Sequence, residues 1–186
     1  YQQSSTGDPN AVAIDQENRW LGRMLRRRIE AEALRDGLLA VSGRLDNAGQ
    51  GVGFLDHAVP RRSLYLMSVR TGAKAAEYCP LFDGPDGGGV IERRNQSIVA
   101  PQALFLLNDP FVDQASRDLA ARIDREVPHS SPAERVSRLY EITLGRPPAV
   151  TERQIALDLL ADAAVTDAWP RLCLVVLCSN EFLYVD

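Results

Sequence analysis

Arg93-Arg94-Asn95-Gln96-Ser97-Ile98-Val99-Ala100-Pro101-Gln102-Ala103-Leu104-Phe105-Leu106-Leu107-Asn108 runs from two charged residues through a short extended segment into an apolar helix. Ser97-Ile98-Val99 reads as extended. Pro101 suits the first position of a helix through Leu107, because the N–H it lacks would be unpaired there in any case. Asn108 is placed to cap the next helix, Asp109 to about Glu126, which turns Val112, Ala115, Leu119 and Ile123 inward. Helical periodicity on both sides of this one extended run sets the fold class. The chain reads as mainly α, an irregular bundle of about six helices with at most a small two-stranded sheet.

Toward the C-terminus, Ser131-Pro132-Ala133-Glu134 has capping-box spacing and opens a helix that buries Val136, Leu139, Tyr140 and Thr143 before stopping at Gly145. Thr151-Glu152-Arg153-Gln154 reads as a second capping box, starting a helix that buries Ile155, Leu159 and Ala163. The last helix, about Ala168 to Asn180, is apolar from Leu172 to Cys178 and so belongs at the bundle centre.

Toward the N-terminus, the polar segment 1–15 reads as an arm and 16–186 as one helical domain. A long helix is predicted from about Glu17 to Leu45, with the stripe Trp20, Met24, Ala31, Leu34, Leu38, Val41 and Leu45. Arg27 falls in that stripe, which predicts a buried guanidinium in contact with a carboxylate or several backbone carbonyls. With Arg23, Arg26 and Arg28 it forms a basic band that reads either as an anion site or as a helix face neutralised by Glu30 and Glu32. Ser63 to Val69 alternates and is apolar on both faces, predicting a strand that pairs with Gln96 to Val99.

Composition narrows the classes. A chain of 186 residues with 45% hydrophobic content has material for one sizeable core. A formal net charge of -4 argues against nucleic-acid binding, and no apolar run is long enough for membrane insertion. The chain opens at Tyr1 rather than Met, so it reads as part of something longer. Cys79, Cys173 and Cys178 carry no C-x-x-C spacing and read as free thiols.

Several blocks, in order, resemble the PSD1 (DUF1553) family: Asn18-Arg19-Trp20-Leu21, Arg26 to Asp36, Arg61-Arg62-Ser63-Leu64-Tyr65, Arg93-Arg94-Asn95, Ala100-Pro101-Gln102-Ala103-Leu104, Leu144-Gly145-Arg146-Pro147-Pro148 and the closing Ser179 to Asp186. The resemblance implies an exported or cell-surface parent protein of planctomycete type. In it this domain ends the chain, behind a second domain of unknown function and often a cytochrome c-like domain. It implies Asp186 as the natural end and Tyr1 as an internal start, and it brings no established activity or catalytic residues.

Two functions compete. One is a non-catalytic C-terminal module serving assembly, ligand binding or partner contact. Its partners would be upstream domains of the parent, carbohydrate or another surface protein. Its binding residues would be Arg27, Arg61, Arg62, Arg93, Arg94, Asn95 and Gln102, types that hold anions, sugars and loops more often than they move protons. Both double-arginine pairs precede segments expected to pair, which makes them a structural and anion-facing hub. The other function is a hydrolase of ester, lactone or glycosidic bonds, with Ser63 or Ser97 as nucleophile and His57 as base. His57 lies in the Gly-rich stretch from Asn47 to Pro60, where a surface loop is the plainer reading. No cofactor is implied beyond calcium. Asp83 and Asp86, among glycines, are its candidate ligands, and a turn-rich loop is the alternative.

Overall fold

In the computed structural model, which describes residues 4–49, 51–67, 75–84 and 94–185, the first core helix begins at Ala31, not near Glu17. Side chains upstream of it capture the backbone that a helix would need. The Asp15 carboxylate accepts from the amides of Arg19 and Trp20, and buried Asn18 both accepts from the Arg23 amide and donates to the Arg23 carbonyl. Asn18 (φ 52°) and Leu21 (φ 55°) are left-handed, so no continuous helix crosses them. The predicted stripe therefore fails at its start: Trp20 is 75% exposed. It holds from Ala31 through Leu34 and Leu38, all fully buried.

The elements are α1 (Pro9–Ile14), β1 (Arg27–Arg28), α2 (Ala31–Val41), α3 (Ala75–Leu81), α4 (Ala100–Asn108), α5 (Pro110–Glu126), α6 (Pro132–Leu144), α7 (Val150–Ala161), α8 (Ala168–Leu177), α9 (Asn180–Leu183) and β2 (Tyr184–Val185). The fold is mainly α. The sheet is two-stranded but is not the one predicted: β1 pairs antiparallel with β2, Arg28 opposite Tyr184. Ser63–Tyr65 is a short 3-10 turn, and Ser68 and Val69 lie outside the described residues. The cause is Arg35. Its fully buried guanidinium donates to the carbonyls of His57 (2.7 Å), Val59 and Arg61 (2.7 Å) and to Ser63 Oγ (3.1 Å). The chain from 57 to 63 wraps around that cation, and beyond it the backbone bridges Phe54 rather than the 96–99 segment: the Phe54 amide donates to the Tyr65 carbonyl and the Met67 amide to the Phe54 carbonyl. α2 thus has a buried arginine, but it is Arg35, whereas Arg27 is exposed on β1.

α5 lies against α8 and α2, and its buried face holds Val112, Ala115, Leu119 and Ile123 as predicted. Its cap is Asp109, which accepts from the Phe111 amide; Asn108 instead turns back to the Leu104 carbonyl. Ser131 and Glu134 form the expected capping box, and Gly145 ends α6 at φ 69°, a conformation glycine takes without penalty. α7 is rotated from its predicted phase: Ala149 is the N-cap, Ala156 is buried and Ile155 is exposed. The rotation follows from Glu152. It accepts from the Ala149 amide and from both terminal nitrogens of Arg146, each at 2.8 Å.

Arg146 is the hub of the C-terminal half. It also binds Glu181 on α9 at 2.6 Å and lies over the Tyr140 ring. The Leu144-to-Pro148 block thereby ties α6, α7 and α9 together. The Arg146 bonds hold the Glu152 carboxyl down at about 2 from an ordinary 4.5. A depressed carboxylate contributes stability that is present above its unfolded pKa and lost as pH falls through the folded one. Melting temperature should therefore fall between about pH 4.5 and about pH 2. Arg146→Gln should flatten that acid limb in a pH series of thermal melts.

No described helix is long and apolar enough to cross a membrane.

Candidate functional site

A cleft of about 260 Å³ lies between α4, the turn after α3 and the C-terminal elements α9 and β2. Its walls include Phe82, Val99, Leu106 and Leu183, with Arg28, Gln102, Cys178, Asn180 and Tyr184 as its polar members. Each is delivered by a local feature. Arg28 is inward because it alternates with exposed Arg27 on β1. α3 ends in a turn in which the Gly84 amide donates to the Cys79 carbonyl at 2.6 Å. A Cβ at Gly84 would meet that carbonyl at 2.8 Å and Ala31 at 3.2 Å, so glycine lets the turn sit against α2. The preceding Asp83 is left-handed (φ 59°) and turns its carboxylate toward Arg28.

The Arg28 side chain is only 8% exposed. Nη2 donates to the Phe82 carbonyl (3.0 Å) and to Asp83 Oδ2 (2.6 Å), and the guanidinium lies 5.3 Å from the Phe82 ring centroid. Its Nε and Nη1 are closed to solvent and have no hydrogen-bond partner among the described residues. Asp83 is otherwise satisfied: the Ser97 amide donates to Oδ2 and the Ser97 hydroxyl to Oδ1, both at 2.8 Å. Burial raises the Asp83 pKa, but the Ser97 amide and hydroxyl and the Arg28 charge outweigh it and leave the carboxyl below its ordinary value. Buried Gln102 accepts from the Val99 amide and donates to the carbonyls of Leu81 (2.9 Å) and Ser97 (3.3 Å). Asp83 and Gln102 together pin segment 94–99 and α4 to the end of α3. Burial pushes the Cys178 thiol up to about 11, and it donates to the Leu106 carbonyl.

The other residues named from sequence fall into two separate groups. Arg94 is bidentate to Glu32, 2.8 Å for both bonds, and also meets Glu30 at 3.3 Å. Arg62 is 3.8 Å from Asp36 in the same shallow surface along α2, and Asp36 accepts from the Ser63 amide. Arg61 lies over the Tyr65 ring and donates to the Val52 carbonyl. Arg94 and Arg62 thus turn to carboxylates of α2 and its approach. Arg93, Asp86 and Glu92 lie outside the described residues, and Asn95 is exposed.

His57 is not the surface residue expected. Its side chain is 17% exposed and stacks on Tyr78, edge-on to Phe111, because Arg35 draws its carbonyl inward. Nε2 stands 3.5 Å from Asp109 Oδ1, and Nδ1 is buried with no partner among the described residues. Ser63 Oγ accepts from Arg35 and Ser97 Oγ donates to Asp83; among the described residues neither hydroxyl is paired with a histidine. Among the same residues no group of three or more His, Cys, Asp or Glu is placed to hold a metal ion.

Sequence reasoning named Gln102, Ser97 and Asp83 but not their meeting, and it missed Arg28 and Arg35 as buried cations. The available signal for Arg35 was its place beside Leu34 and one turn before Leu38 on the apolar face of α2. For Arg28 there was none, because its burial depends on pairing with Tyr184, at the far end of the chain.

The family model described as a protein of unknown function (DUF1553), PSD1, matches residues 1–160, which takes in every family-like block except the closing one. No curated protein matches the chain, and no solved structure does.

Proposed function

From the premise that the chain belongs to the PSD1 (DUF1553) family, we propose that it is a non-catalytic binding module of a larger exported protein, with the α4 cleft as its contact face. The observation that carries this reading is the exposed apolar rim of the cleft, whose wall continues to solvent as Ile98, 80% exposed, and Leu107, 55% exposed. Large apolar side chains left exposed beside a cleft cost free energy that an occupant recovers. The arginines along α2 support the reading differently: their partners are the chain's own carboxylates, which suits them to holding the scaffold.

The test uses an uncharged apolar fluorophore, N-phenyl-1-naphthylamine. Its emission should rise on adding the folded protein, and the rise should be lost in Ile98→Asp and Leu107→Asp at unchanged melting temperature. An enhancement indifferent to both changes would remove the cleft from the proposal. The hydrolytic alternative has the 3.5 Å approach of His57 to Asp109 in its favour. It is tested by assaying His57→Ala, Ser63→Ala and Ser97→Ala against ester, lactone and glycoside substrates. Turnover by the parent chain that one of these changes abolishes, with the fold intact, would replace the binding module by an enzyme.

A further inference from the structure

We propose that the exposed face of α4 is a contact between two copies of this chain, packed antiparallel about a two-fold axis. The inference rests on the binding-module reading and names its partner. Residues 95–108 form a 14-residue run without one charged side chain, in a chain that is 25% charged. Interface cores are depleted in charge in the same way. α4 is also apolar on both sides. Gln102 and Leu106 face inward and are buried, while Ala100, Ala103, Leu104 and Leu107 share the opposite stripe and are exposed, Leu104 by 59% and Leu107 by 55%. A helix that is apolar all round belongs inside a fold. Ile98 lines the same cleft as Ala103 and Leu107 and extends the patch.

This patch suits a second copy better than a charged partner. An ionic group set against it would lose water and meet no counter-charge. A second copy brings only the same uncharged stripe. With the two-fold axis beside residues 103 and 104, Leu107 lies opposite Ala100 of the partner subunit, large against small. Near the axis Ala103 meets Ala103 of the partner subunit, which lets the two helices approach closely, and Leu104 meets its own counterpart. Roughly 500 Å² would be covered on each copy, about 1,000 Å² in total, the lower bound for a specific interface. The pair is therefore a reversible one, with Kd on the order of 10–100 µM.

Sedimentation equilibrium of the intact chain tests this. Loaded from about 5 to 500 µM, its mass should rise from 20.5 kDa toward twice that value. Leu104→Glu sets two carboxylates together near the axis and should weaken association at least about tenfold at unchanged melting temperature. Leu104 does not line the cleft, so at about 1 µM, where single chains prevail, this variant should keep its fluorescence enhancement with N-phenyl-1-naphthylamine. Under mild oxidation Leu104→Cys should be linked as a dimer much faster than Ile155→Cys, a position 69% exposed on α7, with the parent chain as blank. A chain that stays single across the whole range overturns the pairing, and it leaves the cleft as contact face where the dye still responds. Loss of the dye response as well overturns both. Association that Leu104→Glu leaves unchanged, or linking no faster in Leu104→Cys than in Ile155→Cys, overturns the α4 interface.

Discussion

Arg35→Ala will be the most damaging single substitution on α2, costing on the order of 3–5 kcal/mol. The guanidinium is fully buried, and its hydrogen bonds go to three backbone carbonyls and one hydroxyl, with Asp36 Oδ1 further off at 3.4 Å. Burial costs the charge some of its stability, which lowers the Arg35 pKa despite the carboxylate of Asp36 nearby. Alanine would leave the His57 and Arg61 carbonyls without that donor and the Val59 carbonyl with the Arg61 amide alone, and an orphaned buried acceptor costs about 1–3 kcal/mol. Lysine should not rescue the loss, since an ammonium on a flexible stem cannot span acceptors set out for a planar fork. The expected fall in melting temperature is roughly 6–20 °C at about 2–4 °C per kcal/mol for a chain of this size. Denaturant titration should show a lower midpoint. A loss below about 1 kcal/mol would mean that segment 57–63 holds its course by other contacts.

The same residue marks where sequence reading stops. Helix ends were legible at α6 because their chemistry is local: Ser131 and Glu134 meet across a single turn, and Gly145 supplies the left-handed stop. The inward face of α5 was legible because its periodicity runs unbroken from Val112 to Ile123. The long N-terminal helix was not, because Asp15 and Asn18 bond to backbone that a helix would have used. Apolar spacing cannot reveal that competition. The strand from Ser63 failed for a tertiary reason, the wrapping of its approach around Arg35, and α7 lost its phase to the Arg146–Glu152 pair. The candidate site shows the same division. Ser97, Gln102 and Asp83 stand out by residue type, but their meeting requires the end of α3 to be packed on α4. The inward turn of Arg28 requires β2, more than a hundred residues downstream.

Asp83→Ala should approach the Arg35 change in size, on the order of 3–5 kcal/mol, because it breaks a buried ion pair from one side. Arg28 and Asp83 are 8% and 12% exposed, so the cation left behind has little water to turn to. Its Nε and Nη1 are already unpaired, and the substitution would leave the Phe82 carbonyl as its one acceptor among the described residues. The Ser97 amide would lose its acceptor as well, loosening the segment that leads into α4. Backbone strain adds to this, since alanine takes φ 59° at roughly 1–2 kcal/mol more than a residue suited to the left-handed region. Asp83→Asn should cost much less. It tolerates the conformation and can still accept from Ser97 and Arg28. Acid separates charge from shape. The Asp83 pKa is lowered in the fold, so its contribution is present above the unfolded value near about 3.9 and is lost as pH falls through the folded value. Wild type should therefore lose stability relative to Asp83→Asn as pH drops below about 4, the gap closing once both side chains are neutral. Denaturant midpoints of the two proteins measured down an acid series would show it. If they instead run parallel throughout, the stability carried by Asp83 belongs to its hydrogen bonds with Ser97, and the charge of the Arg28 pair contributes nothing to the fold.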